Sequence, residues 1–144
     1  MAFVSITRLH LRAWRVLPGF LVQTFRAAGQ ARRSGGYVAG ALSADMRRLT
    51  FWTLTLWKDQ AAMRGYQHSG AHKAVMPRIG DWCDEAAVAH WEQDGGRIPG
   101  GDEALERMQR QGRVVKLPQP SQGHAAGETV PDGRPPRFKP MPAP

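Results

Sequence analysis

A chain of 144 residues holds one domain with an extended segment, and is too short for two separate cores. Its hydrophobic fraction of 42% is that of a globular protein, and no apolar run approaches the roughly 18 residues of a membrane span, so no transmembrane segment is expected. A net charge of +8 invites a nucleic-acid partner, but the basic residues are scattered beyond the doublets Arg32-Arg33 and Arg47-Arg48. Arginine outnumbers lysine by 16 to 4 and asparagine is absent, the mark of a compositional bias, and no nucleic-acid partner is expected.

Residues 3–11 alternate, with Phe3, Ser5, Thr7, Leu9 and Leu11 on one side and Val4, Ile6, Arg8 and His10 on the other. That period of two predicts a strand, and an alternating N-terminus is not a signal peptide, so a cytoplasmic protein is expected. His10 reads as an exposed strand-end residue. A helix follows from about Leu17, with Pro18 suiting its first turn and Phe20, Leu21, Thr24, Phe25, Ala28 and Ala31 at helical spacing. Ser34-Gly35-Gly36 ends it.

Residues 37–42 read as a second strand, 43–48 as a polar connection, and 49–57 as a third strand with bulk on both faces. Asp59 is a good N-cap for a helix carrying Ala62, Met63 and Tyr66, and Ser69 caps the next, where Pro77 predicts a kink or break near Met76. Residues 86–92 form the last strand, 94–101 a glycine-rich loop and 102–111 a short polar helix. The lone cysteine, Cys83, excludes an internal disulfide and reads as a small buried filler. The chain thus divides into a folded domain over 1–112 and a tail over 113–144, which holds eight of the eleven prolines and is expected to be disordered.

The order β-α-β-β-α-β predicts an α+β, ferredoxin-like domain: a four-stranded antiparallel sheet with two helical segments on one face. The other face then needs burial, and with only two helices available a homodimer is expected to supply it.

Trp57-Lys58-Asp59, Ala61-Ala62-Met63 and Ser69-Gly70-Ala71-His72 resemble the dimeric α+β barrel superfamily, which includes the antibiotic-biosynthesis-type monooxygenases. With Met76-Pro77 and Trp82 added, residues 3–92 look most like small bacterial proteins related to spheroidene monooxygenase. The resemblance implies a monooxygenase-like protein acting on an apolar, conjugated small molecule. The alternative is a non-catalytic ligand-binding or interaction module that keeps the barrel. Fold alone does not choose between them.

His72 is the candidate catalytic residue. Amides at a helix start disfavour the imidazolium, and a neutral ring there can take a proton, orient a substrate oxygen or ligate a heme iron. Against this stands a histidine that only satisfies hydrogen bonds. His68 and His72 are four apart, but Ser69-Gly70 interrupts the helix between them and no third ligand is evident, so no metal site is expected. Trp52, Trp57, Tyr66, Met76 and Trp82 are the candidate substrate-binding walls, with plain core packing as the competing reading. Heme-degrading members of the superfamily depend on a first-strand asparagine, and this chain has none. The sequence leaves the cofactor open between heme and none.

Overall fold

The structure is a computed structural model, and it describes residues 1–141 apart from the side chains of Ala71, His72 and Val75. The chain opens with β1 (Ala2–Leu11), a 3-10 turn (Trp14–Val16), α1 (Leu17–Arg33), β2 (Tyr37–Asp45) and β3 (Thr50–Trp57). Then come α2 (Gln60–Gln67), α3 (Gly70–Val75), a 3-10 turn (Met76–Arg78), α4 (Ile79–Trp82) and β4 (Cys83–Gln93). The C-terminal part adds α5 (Gly101–Gln111), β5 (Arg113–Val114), α6 (Gln122–Ala125) and β6 (Lys139–Pro140).

Local chemistry sets these boundaries. Pro18 sits in the first turn of α1, where its missing N–H is not needed. Gly36 lets the chain leave α1 with φ at 84°, and a Cβ there would also collide with the Ala62 side chain. The Asp59 carboxylate accepts from the Ala62 amide at 2.8 Å and starts α2 as expected. Pro77 cannot continue the helix begun at Gly70, and a 3-10 turn bridges Met76 to Arg78 before α4 resumes.

The strands pair antiparallel in the order β5-β4-β1-β3-β2-β6. The inner four give the expected ferredoxin-like order. Among the described residues the sheet has six strands and not the expected four, because two-residue strands from the C-terminal segment extend both edges. Such short strands carry no period that a sequence could reveal.

Each face of the sheet is covered from within the chain. On the front, α1 and the 58–82 helices bury Phe20, Phe51, Trp57, Met63 and Tyr66. On the back, Val4, Ile6, Trp52, Leu54, Leu56 and Trp91 pack against Ala104 and Met108 of α5 and against Val130. Phe138 and Ile98 add to that layer. Full burial of side chains such as Ile6, Leu54, Leu56 and Met108 contributes roughly 2 kcal/mol apiece.

Residues 113–141, whose composition predicts disorder, are here held to the sheet by discrete contacts. The Val115 amide donates to Ala86 O at 2.8 Å, the Ser121 amide to Asp84 O at 2.9 Å, and Thr129 Oγ1 to Met108 O at 2.9 Å. Single apolar anchors, Val130 above all, fill the gaps. Since the back face is covered in this way, it no longer requires a partner chain, which was the physical reason for expecting a homodimer.

Candidate functional site

Between α1 and the front of the sheet lies a cavity of about 180 Å³. Its floor comes from alternate strand residues. Thr7 of β1 stands opposite both Thr53 and Val88, and Leu9 stands opposite Ala86, so these side chains share one face. Its roof is the inward stripe of α1, with Phe20, Gln23, Thr24, Ala27, Ala28 and Ala31 at helical spacing. Small residues on α1 keep the helix from filling the space. Tyr66, Gln67, Met76 and Ile79 close one side, and Val115 and Met141 come from the C-terminal segment.

The edge at β2 is closed in an unusual way. The Met141 amide donates to Gly40 O at 2.9 Å, and a Cβ on Gly40 would collide with the Met141 methyl and the Tyr37 hydroxyl. Glycine here admits a residue from a hundred positions downstream into the cavity wall.

The walls are apolar with a few polar groups: four threonine hydroxyls, two glutamine amides and the Tyr66 phenol. Tyr66 Oη donates to Ala27 O at 3.0 Å, and burial raises its pKa, so it stays protonated. A smaller annex of about 60 Å³ shares Thr7, Thr53, Thr55, Tyr66 and Gln67 with the main cavity and adds Ser5 and Met63. Ser5 is paired across the sheet with His90. The His90 ring packs on Phe3 with centroids 5.6 Å apart, and its Nε2 is buried with no hydrogen-bond partner among the described residues. Burial, then Arg113 and Arg64, lowers its pKa, so it is neutral at pH 7.

Of the candidate site residues, Tyr66 and Met76 line the cavity. Trp82 stands behind it, edge-on to the lining residue Phe20 with centroids 6.1 Å apart. Trp57 lies beyond the cavity end, stacked on Tyr66 at 5.2 Å, and Trp52 points to the back face. The side chain of His72 lies outside the described residues. In the sequence His90 only shares a strand face with Glu92, which is weak evidence at a strand end; what marks it out in the structure is a buried nitrogen with no hydrogen-bond partner among the described residues.

Two binding possibilities can be tested against this geometry. The cavity falls below the roughly 300 Å³ at which pockets for drug-sized ligands begin, and among the described residues that line it none is a histidine or cysteine; at this size it does not fit a porphyrin. His10, Asp84 and Glu85 bring three ligand atoms within 4.8 Å of one another. They are already engaged with protein partners. His10 Nδ1 lies 2.5 Å from Asp84, while Glu85 accepts from Arg8 at 2.7 Å and from Ser121 Oγ at 2.8 Å. This is an ion-pair network that ties the C-terminal segment to the sheet.

The fold is that of the antibiotic-biosynthesis-monooxygenase-like proteins. SnoaB, a cofactor-independent oxygenase from Streptomyces nogalater solved as an asparagine-to-alanine mutant, superposes with a TM-score of 0.55 at 13% identity, covering 68% of this chain and 97% of its own. Rv0793 from Mycobacterium tuberculosis gives 0.60 at 11% identity, covering 68% and 100%. An antibiotic biosynthesis monooxygenase gives 0.56 at 17% identity, covering 69% and 100%. Identities this low establish the fold alone. No functionally curated protein matches the chain. Residues 3–114 match the family described as a domain of unknown function, DUF3291, and the chain belongs to that family.

Proposed function

We propose that this protein is a cofactor-free, monooxygenase-like enzyme that holds an apolar, conjugated small molecule between α1 and the threonine floor of the sheet. The observation that carries the reading is the cavity itself: an apolar chamber complete within one chain, with a few convergent polar groups. Without a cofactor the substrate must supply the electrons. A base removes a proton, the resulting anion passes an electron to O2, and recombination gives a peroxide anion that takes the proton back from the base; the hydroperoxide then loses water, with the second hydrogen of the same carbon, to leave a carbonyl. A dry chamber with hydroxyl and amide donors suits the anion.

In this reading His72 at the start of α3 is the base or orienting group. His90 is a second candidate, since it stays neutral and is paired across the sheet with Ser5, which lines the annex. Tyr66 and Met76 touch the substrate, with Trp82 as support behind Phe20. The buried Cys83 thiol suits a reducing cytoplasm. A homodimer, as the superfamily resemblance implies, is compatible with this function through a surface other than the back face, or by exchange of residues 113–141 between copies.

The competing reading, a binding module without chemistry, is favoured by the absence of any asparagine. Oxygen uptake separates the two. The purified chain is incubated with a panel of electron-rich conjugated phenols and hydroquinones in an oxygen electrode. Uptake matched to product, with its pH profile altered in His72→Ala or His90→Gln, is the expected result. Saturable binding of the same compounds with no uptake would overturn the enzyme reading.

A further inference from the structure

The side of α1 that faces away from the cavity carries a second message. At about 100° per residue, Phe20, Thr24, Ala27 and Ala31 point to the sheet, and Pro18, Val22, Phe25, Arg26, Gly29 and Arg33 occupy the opposite side. Val22 and Phe25 are 57% and 63% exposed, and Trp14, in the turn that leads into the helix, is 58% exposed. Scattered apolar residues on a surface need no explanation, but Val22 and Phe25 are three apart and stand together on one helical ridge.

The charge around the ridge is one-sided. Residues 14–33 hold four arginines and no carboxylate. Among the described residues Arg15, Arg26, Arg32 and Arg33 form no ion pair. Arg26, Arg32 and Arg33 instead line an open groove of about 680 Å³ beside Phe25 and Gly29. A second copy of the chain would bring arginine against arginine. A nucleic acid would leave the Val22–Phe25 ridge in water.

We propose that the outer face of α1 docks on the surface of an anionic phospholipid bilayer. Val22 and Phe25 enter the boundary of headgroups and acyl chains, Trp14 lies at the interface its amphipathic ring favours, and the arginines meet lipid phosphates. Among the described residues no helix is long and apolar enough to cross a membrane, so the contact is peripheral. The proposal stands apart from the oxygenase reading, since it uses only the opposite side of the helix.

The test uses the full chain with vesicles of phosphatidylcholine alone and of phosphatidylcholine mixed with phosphatidylglycerol, read by co-sedimentation and tryptophan emission. Binding to the anionic vesicles only, reversed by salt, is the expected result. A blue shift that disappears in Trp14→Phe should accompany it. Arg26→Glu combined with Arg33→Glu should lower partitioning more than about tenfold, and Val22→Ser with Phe25→Ser should lower it too. All these positions are surface residues, and circular dichroism confirms that the variants stay folded. Equal binding to neutral vesicles, no binding to anionic ones, or binding indifferent to both double variants would overturn the proposal. So would reversal by inorganic phosphate but not by chloride of equal ionic strength, or a dimer that Phe25→Ser dissolves without any vesicle binding.

Discussion

Arg8 shows how much depends on single residues in this chain. Its side chain is 1% exposed on β1, yet its Nη1 lies 2.7 Å from Glu85 and its Nη2 lies 3.4 Å from Asp132. Removing the guanidinium strands a largely buried carboxylate, so Arg8→Met should cost about 3 kcal/mol in urea unfolding. Adding Glu85→Leu should recover most of that loss. Strand alternation placed Arg8 on the back face, but its partner is 77 residues away and nothing local announces it. The same limit applies to the tryptophans. Trp52 and Trp57 read as pocket walls from residue type, whereas alternation sends Trp52 to the back face and position along β3 carries Trp57 past the cavity.

Two buried titrating groups at this scale bound the pH range of stability. Burial, then Asp84, pushes the Cys83 thiol up from 9.0 to about 12, with Arg12 opposing. Above pH 9.0 the unfolded chain loses this proton and the folded chain keeps it, so stability falls as pH rises from 9.0 towards 12. His90 works on the acid side. Its folded pKa lies below 6.5, so the unfolded chain binds a proton that the folded chain refuses, and stability falls as pH drops below 6.5. Urea midpoints should therefore plateau between the ordinary histidine and thiol values. A midpoint that keeps climbing above pH 9 would contradict this assignment for Cys83. Native Cys83 should also react with iodoacetamide at neutral pH far more slowly than the unfolded chain.

At the scale of elements, the sequence is most legible where periodicity and caps agree. β1 and α1 follow their periods, α5 was expected over 102–111 and runs Gly101–Gln111, and Pro77 interrupts its helix near Met76. The Asp59 cap is exposed and makes one local bond, so Asp59→Ala should cost about 1 kcal/mol, measured by thermal unfolding. β5 and β6 were illegible for a physical reason. A two-residue strand buries no alternating face, and its stability comes from the edge it meets, which only the finished sheet supplies. The candidate cavity was half legible: Tyr66 and Met76 follow from helix spacing, but Thr7, Thr53 and Thr55 look like ordinary strand residues until the register aligns them.

For the whole molecule, the C-terminal segment replaces the cover that a second sheet would give. A chain ending at Gly112 should melt well below the full chain, because Val130 and Phe138 leave the back face and the Arg8–Asp132 pair is lost. Light scattering should show that shortened chain associating, since its back face is again partly bare. Equal melting temperatures would mean that 113–141 contributes nothing to the fold. The central claim, that the chamber behind α1 is a ligand site, is tested most directly by titrating an apolar naphthalene fluorophore into the wild type, Thr55→Leu and Phe25→Ser. Leucine at Thr55 fills part of the chamber with apolar bulk. The account requires one saturable site per chain in wild type and in Phe25→Ser, weakened about tenfold or more in Thr55→Leu while that variant melts no lower than wild type. Equal affinity in Thr55→Leu, or loss of binding in Phe25→Ser alone, would place the fluorophore on the surface and contradict it.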